Sequence, residues 1–233
     1  MALLLATPGR NIEGLRSELL ARAPELDLRV WPELGNALAI DFAVVWRPPE
    51  ELFVRLPALR AVSSLGAGVD GVLDHPGLPP SLPVGRLAGP RLAADMAGYL
   101  VAMVVGAWRG FDGFREARNM RRWRPYAPDR APRIGLLGSG RMARAAARAF
   151  AALELEIMAC NRSGGTLDGC QTRAGADGLA WVARQADFLI NLLPLSDEQQ
   201  KVVINSQMRG NVFFDHLMSL SVIRKGQDEI YER

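Results

Sequence analysis

The sequence predicts an α/β protein, a doubly wound parallel sheet with helices on both faces, and two observations carry that expectation. Short apolar runs bounded by glycine and proline alternate with segments whose apolar residues recur three or four apart, the pattern of strands and helices taken in turn. A glycine pair in Gly138-Ser139-Gly140 stands between one such run, Ile134-Gly-Leu-Leu137, and an alanine-rich stretch from 141 to 152. That is a tight strand-to-helix junction.

Taken in order, residues 2–6 are an apolar run ended by Thr7-Pro8-Gly9, a buried strand and its turn. Ile12, Leu15 and Leu19 have helical spacing, and Pro24 stops that helix. Leu26, Leu28 and Val30 alternate as a second strand, and Phe42-Ala-Val-Val-Trp46 reads as a third. Pro48-Pro49 opens a short helix, since proline is tolerated in a first turn. Arg60-Ala-Val-Ser-Ser64 is a fourth strand, running into Leu65-Gly66-Ala67-Gly68-Val69-Asp70. Residues 74–90, rich in proline and glycine, read as a loop. From 91 to 118 the residues Leu92, Met96, Leu100, Met103, Ala107 and Phe111 predict one long amphipathic helix. Beyond Asn119–Pro132 come the strand at Ile134, the helix 141–152, a strand over 156–160 and a short one near 171–173. A helix over 179–184 and a strong strand at Phe188-Leu-Ile-Asn-Leu192 follow. The expected domains are residues 1–95, then 96–204 with the long linker helix, then a tail at 205–233.

Composition narrows the classes. The 233 residues are 49% hydrophobic and 23% charged, with a formal net charge of +3 spread over many arginines. A nucleic-acid surface needs a concentrated basic face, and the densest run, Arg121-Arg122-Trp123-Arg124, is too short, so no nucleic-acid partner is expected. The apolar stretch from 99 to 108 is too short to span ~30 Å of hydrocarbon, so no membrane is expected either. Cys160 and Cys170 match no zinc or redox spacing, and no metal site is expected. A reducing, cytoplasmic location is the simplest reading.

The chemistry sits at the junction after Ile134. Gly138 permits the turn, and Gly140 removes a side chain that would block a diphosphate. Ala143 occupies the position where either glycine or alanine lets helix and strand pack closely. Amides near Ser139, Arg141 and Met142 then face the phosphates, helped by the helix dipole. A purely structural turn would use the same glycines. At the end of the next strand, where an NAD site carries an acid for the ribose 2′-OH, stands Cys160-Asn161-Arg162-Ser163. The planar fork of Arg162, with Ser163, suits a 2′-phosphate, which favours NADP(H) over NAD(H); a surface arginine is the alternative.

Several stretches together resemble the D-isomer-specific 2-hydroxyacid dehydrogenases, in particular their glyoxylate/hydroxypyruvate reductase A type. They are Asp41-Phe-Ala-Val-Val-Trp-Arg-Pro-Pro49, Leu59-Arg-Ala-Val-Ser-Ser-Leu-Gly-Ala-Gly-Val-Asp70, residues 86–99, 111–125 and 134–143, and Leu189-Ile-Asn-Leu-Leu-Pro194. The resemblance implies a Rossmann-like cofactor domain behind a flavodoxin-like substrate domain, and NADPH-dependent reduction of small 2-keto acids to 2-hydroxy acids. It implies that Gly66, Ala67, Gly68 and Val69 offer amides to the substrate carboxylate. Leu192, Leu193 and Pro194 would line the nicotinamide end, and the 91–118 helix with the Trp123 loop would form a homodimer.

After Asn205 the sequence leaves the family's course. Such enzymes carry an Ala-Arg-Gly motif, then a glutamate, then a Pro-His motif. Here Met208-Arg209-Gly210 makes Arg209 the one candidate for the catalytic arginine, and no catalytic Glu or His is identifiable. His75 lies in the proline-rich loop, and His216 follows Asp215. The expectation is therefore a C-terminally truncated or diverged member, its sheet incomplete at that end and its activity impaired; the alternative is a non-catalytic dinucleotide-binding remnant.

Overall fold

The structure, a computed structural model, describes residues 2–193, 211–215 and 221–225, and the chain divides into two compact units, Met1–Ala88 and Gly89–Arg233. The first unit holds β1 (Ala2–Ala6), α1 (Glu13–Arg22), β2 (Asp27–Val30), β3 (Ile40–Val45), β4 (Ala61–Ser64), α2 (Asp70–Leu73) and β5 (Val84–Arg86). Its strands are all parallel, in the order β2-β1-β3-β4-β5. That is the flavodoxin-like arrangement, whose binding crevice lies beyond the carboxyl ends of the strands. Ala2, Leu4, Ala43, Val45 and Val62 face one core with Leu52, Phe53 and Leu56.

Two sequence expectations are corrected here. The 74–90 stretch is not all loop, because Val84-Gly-Arg86 pairs with β4; three residues show no apolar alternation, so backbone pairing alone marks this strand. Pro48-Pro49 opens no α-helix, and a 3-10 turn at Phe53–Arg55 stands in its place. The spacing of Ile12, Leu15 and Leu19 gave the right helix, yet no residue of α1 is fully buried.

The second unit begins with α3 (Pro90–Trp108) and α4 (Phe111–Asn119), where the sequence predicts a single helix over 91–118. Gly110, in left-handed conformation at φ +67°, breaks it, since glycine enters that region without a steric cost. The apolar spacing runs across the break but does not mark core, because Phe111 is 49% exposed. By length and composition α3 could cross a bilayer; here it lays Leu100 and Val104 into the unit's core.

Next come β6 (Ile134–Leu137), α5 (Arg141–Ala151), β7 (Ile157–Asn161), β8 (Gln171–Ala174), α6 (Gly175–Gln185) and β9 (Phe188–Asn191). The parallel part runs β9-β6-β7-β8, so the strand order reverses between β6 and β9, the Rossmann-like switch point. Side-chain alternation covers both faces. Ile134, Leu136, Ile157, Ala159, Phe188 and Ile190 pack with α3 and α5; Leu137, Met158, Cys160 and Leu189 pack with Val182 of α6 and with Ala186 just past its end. Gly135 is required for the second layer, because a Cβ there would lie 2.6 Å from Val182 Cγ1 and 2.8 Å from Ala186 Cβ.

On the far side of β9 the sheet continues with an antiparallel pair, β10 (Asn211–Asp215) and β11 (Ser221–Lys225), in the order β10-β11-β9. In the sequence reading these residues belong to the 205–233 tail. Alternation over five residues is too short a signal to separate a strand from an apolar tail.

An ionic clamp ties the entrance of β6 to the entrance of β9. Both Arg130 terminal nitrogens donate to the Asp187 carboxylate at 2.7 Å, and the Arg133 N–H donates to it at 2.8 Å. Trp108 Nε1 donates to the Arg130 carbonyl at 3.1 Å, which joins the end of α3 to the same point. Burial pushes the Asp187 pKa up, but hydrogen bonds from Arg130 and Arg133 and their charges outweigh it and hold the carboxyl below its ordinary value. A depressed folded pKa stabilises the fold above the unfolded value and loses that effect as pH falls through the folded one. Asp187→Asn is therefore expected to lower stability by about 1–2 kcal/mol at neutral pH. The thermal midpoints of mutant and native protein should converge below about pH 4, and curves that stay parallel would refute the clamp.

Candidate functional site

The β6–α5 junction is built from a glycine the backbone requires and a glycine it does not. Gly138 has φ +106°, a conformation side-chain-bearing residues rarely adopt. Its N–H donates to the Cys160 carbonyl at 2.7 Å, fastening the turn to β7. On its other side a Cβ would meet the Leu192 carbonyl oxygen and Leu193 Cδ2, both at 3.4 Å.

Gly140 is different. It caps α5 in an extended conformation, φ −72° and ψ −173°, which any residue adopts. A Cβ there would find no protein atom within 4 Å. Neither backbone nor packing calls for glycine, so the position keeps space open in front of the α5 N-terminus. The helix supplies no acceptor to the amides of its own first turn, and the dipole makes that end a place for anions. Ser139 is half-buried in the turn, Arg141 is exposed and Met142 half-buried, while Ala143 is fully buried among Ile134, Leu136 and Ala146. Those residues fit a dinucleotide's diphosphate.

Leu192 and Leu193 lie beside the glycine turn, with Leu192 N–H donating to the Leu137 carbonyl at 3.0 Å. Asn191 Oδ1 accepts from Leu193 N–H at 3.1 Å. Arg162 and Ser163 are exposed in the loop after β7, and among the described residues Arg162 makes no hydrogen bond or ion pair. Their loop is shaped by Asn161, which sequence reasoning passed over. Its Oδ1 accepts from Gly164 N–H at 2.6 Å, and its amide nitrogen donates to the Gly165 carbonyl. Asn161 is 7% exposed, and an asparagine followed by glycines is the signal that such a turn leaves in sequence. The Cys160 thiol, its pKa pushed up by burial, donates to the Gly175 carbonyl.

In the first unit the 66–69 loop leaves β4. The buried Ser64 hydroxyl accepts from Gly66 N–H at 3.1 Å and donates to the Gly68 carbonyl at 2.7 Å. This corrects one expectation: Gly66 spends its amide on Ser64, and what it contributes is the absence of a side chain, since a Cβ would lie 2.3 Å from Trp46 Cζ3. Ala67, Gly68 and Val69 keep the outward part of the loop. Ser64 and Trp46 are further residues the sequence reading did not single out.

His75 is a structural residue. Its Nδ1 accepts from Gly77 N–H at 3.0 Å, which leaves Nε2 to donate to the Pro49 carbonyl at 3.0 Å, and its ring packs edge-on against Phe53. Pro194, Arg209 and His216 lie outside the described residues. Among the described residues no cluster suits a metal ion.

Comparison with known proteins agrees with this architecture. Residues 101–210 match the family described as D-isomer specific 2-hydroxyacid dehydrogenase, NAD binding domain. The chain is 33% identical over 215 residues to glyoxylate/hydroxypyruvate reductase A of Serratia proteamaculans, covering 89% of this chain and 68% of that protein. The corresponding enzyme of an Enterobacter species is 33% identical over 210 residues, 87% of this chain and 67% of its own. Among solved structures, a D-isomer specific 2-hydroxyacid dehydrogenase from Xanthobacter autotrophicus in complex with NADPH and MES superposes with a TM-score of 0.77 at 30% identity, over 84% of this chain and 64% of that one. An NADPH-dependent glyoxylate/hydroxypyruvate reductase from Sinorhizobium meliloti, in complex with NADP and sulfate, gives 0.77 at 28% identity, over 84% and 63%. The protein belongs to the D-isomer-specific 2-hydroxyacid dehydrogenase family and carries its NAD-binding domain. It spans about two thirds of the length of these relatives.

Removing the Asn161 side chain should loosen the loop that carries Arg162. Asn161→Ala is expected to cost about 1–2 kcal/mol and to speed amide exchange at residues 162–165, read by hydrogen–deuterium exchange; unchanged protection there would remove Asn161 from this role.

Proposed function

We propose that this chain binds NADPH at the β6–α5 junction and a small 2-keto acid of the glyoxylate or hydroxypyruvate type at the 66–69 loop, as a reductase of impaired activity. The observation that carries the reading is Gly140, a glycine that the fold does not need and that leaves room at a helix N-terminus. Support for NADPH over NADH comes from Arg162 and Ser163, exposed where an NAD site would place an acid, and from the NADPH and NADP in the two related structures.

A bound reduced nicotinamide supplies hydride to the keto carbon. The chain's own part is positional. First-turn amides of α5 hold the diphosphate, Arg162 pairs with the 2′-phosphate, Leu192 and Leu193 flank the turn at the switch point, and the amides of Ala67, Gly68 and Val69 orient the carboxylate. Reduction also needs a proton for the carbonyl oxygen. Of the two histidines in the sequence, His75 has both ring nitrogens committed to the backbone, and His216 has no Pro-His context. General acid catalysis contributes about 10²–10⁴-fold, so turnover without a histidine donor should be lower by that order. The same commitment of His75 favours the second reading, a dinucleotide-binding protein without catalysis.

The exposed apolar residues Phe111, Met120, Trp123 and Tyr126 gather near α4, with Phe114 and Tyr126 rings 6.5 Å apart and Trp123 93% exposed. Monomers rarely leave such a patch uncovered, and a homodimer through α3, α4 and this segment is the proposed assembly.

NADPH should raise the thermal midpoint more than NADH does, and Arg162→Ala should weaken NADPH by about tenfold while leaving NADH nearly unchanged; equal losses would overturn the 2′-phosphate assignment. NADPH oxidation with glyoxylate or hydroxypyruvate should exceed that of a Gly140→Trp control, and no excess with NADPH binding intact selects the non-catalytic reading. Trp123→Glu should convert dimer to monomer by light scattering, and a native protein already monomeric at working concentration would exclude the assembly.

A further inference from the structure

In the first unit, the carboxyl ends of β1, β3, β4 and β5 meet at one edge, and backbone bonds tie together the loops that leave them. Trp46 N–H donates to the Ala6 carbonyl at 3.0 Å, Leu65 N–H to Val45 at 2.8 Å, and Leu87 N–H to Gly66 at 3.0 Å. Off β1, Thr7-Pro8-Gly9-Arg10 forms a tight turn, with Arg10 N–H donating to the Thr7 carbonyl at 3.2 Å and Gly9 at φ +74°. Proline followed by left-handed glycine at the two central positions is the geometry of a type II turn.

The turn sends the Arg10 side chain over Trp46, its guanidinium carbon 4.1 Å from the ring centroid. The same indole presses on Gly66, whose missing Cβ would overlap it. One ring therefore touches both Arg10 and the first residue of the 66–69 loop. Arg86, at the end of β5, brings Nη1 to 3.4 Å from the Ala67 carbonyl oxygen. The acidic group near the loop is Asp70, with a carboxylate oxygen 3.7 Å from where a Gly68 Cβ would stand.

Stacking occupies the face of a guanidinium and leaves its edge donors available. Arg10 is exposed, and among the described residues its side chain makes no hydrogen bond or ion pair. A planar donor fork immobilised on an aromatic ring, beside a loop of glycines and outward amides, is a prepared reader of a carboxylate.

We propose that Arg10, held on Trp46, binds a second carboxylate where the ligand carries one, so that this site holds 2-keto and 2-hydroxy acids bearing two carboxylates more tightly than the one-carboxylate acids of the glyoxylate type that it also takes. The inference rests on the reading of residues 66–69 as the loop for the first carboxylate. Arg10 is thereby a specificity residue, and it contributes no proton to the reaction.

The test is calorimetric titration of the full chain, saturated with NADPH, with tartronate (two carboxylates) and glycolate (one); neither hydroxy acid is reduced, so binding alone is read. Tartronate should bind at least about tenfold more tightly. Arg10→Ala should weaken tartronate by about tenfold and glycolate by less than about twofold, and Arg10→Lys should restore only part of the difference, because an ammonium lacks the fork. The variant changes an exposed turn residue and should fold. Equal binding of the two probes to the native protein, or equal losses in Arg10→Ala, would overturn the proposal alone and leave Arg10 as a support for Trp46. If neither probe binds while NADPH still raises the thermal midpoint, the carboxylate-loop reading falls and takes this inference with it.

Discussion

At Gly138 the chain leaves β6 with φ +106°, its amide bound to β7 and the space on its other side closed by the strand end of β9. Everything in the cofactor half depends on that turn. It starts α5 at the edge of the sheet, sets Gly140 in front of the first-turn amides, and does so between β6 and β9, where the strand order reverses. A side chain at 138 would force the backbone out of the left-handed region and move the helix N-terminus away from the crevice. Around this point the packing is tight on both faces, with the alanines of α5 on one side and Gly135 against α6 on the other.

The first unit solves a similar problem with different means. There the loop after β4 has no helix of useful length to orient it, since α2 spans only Asp70–Leu73. A buried serine takes over, with one hydroxyl bonding both to Gly66 and to Gly68. Trp46 then closes the inner side of the loop, and Arg10 and Arg86 surround it with positive charge. In both halves a small polar side chain, Ser64 or Asn161, spends its hydrogen bonds on the loop itself and leaves neighbouring groups turned outward.

Much of this was legible from residue order. The alternation of strand and helix, the glycine junction at 138–140, the arginine and serine after β7 and the leucines after β9 are local patterns, and the structure brings the last three to the same edge of one sheet. What escaped the sequence reading shares a cause. The three residues of β5 are held by backbone pairing without any side-chain period, and Gly110 ends a helix whose apolar spacing continues beyond it. The antiparallel pair β10–β11 lies in a stretch where no pattern distinguishes strand from tail.

By itself, the sequence determined the class of fold, the glycine junction between β6 and α5 and the family, because each is written in residues adjacent along the chain and each depends on backbone freedom or spacing that neighbours alone dictate. Only the tertiary structure decided that Gly66 gives its amide to Ser64, that His75 is locked to Pro49 and Gly77, that Asp187 clamps two strand entrances, and that Arg10 lies across Trp46. Several of these contacts join residues far apart in sequence, and even the nearer ones depend on which partner the fold places within reach of each donor.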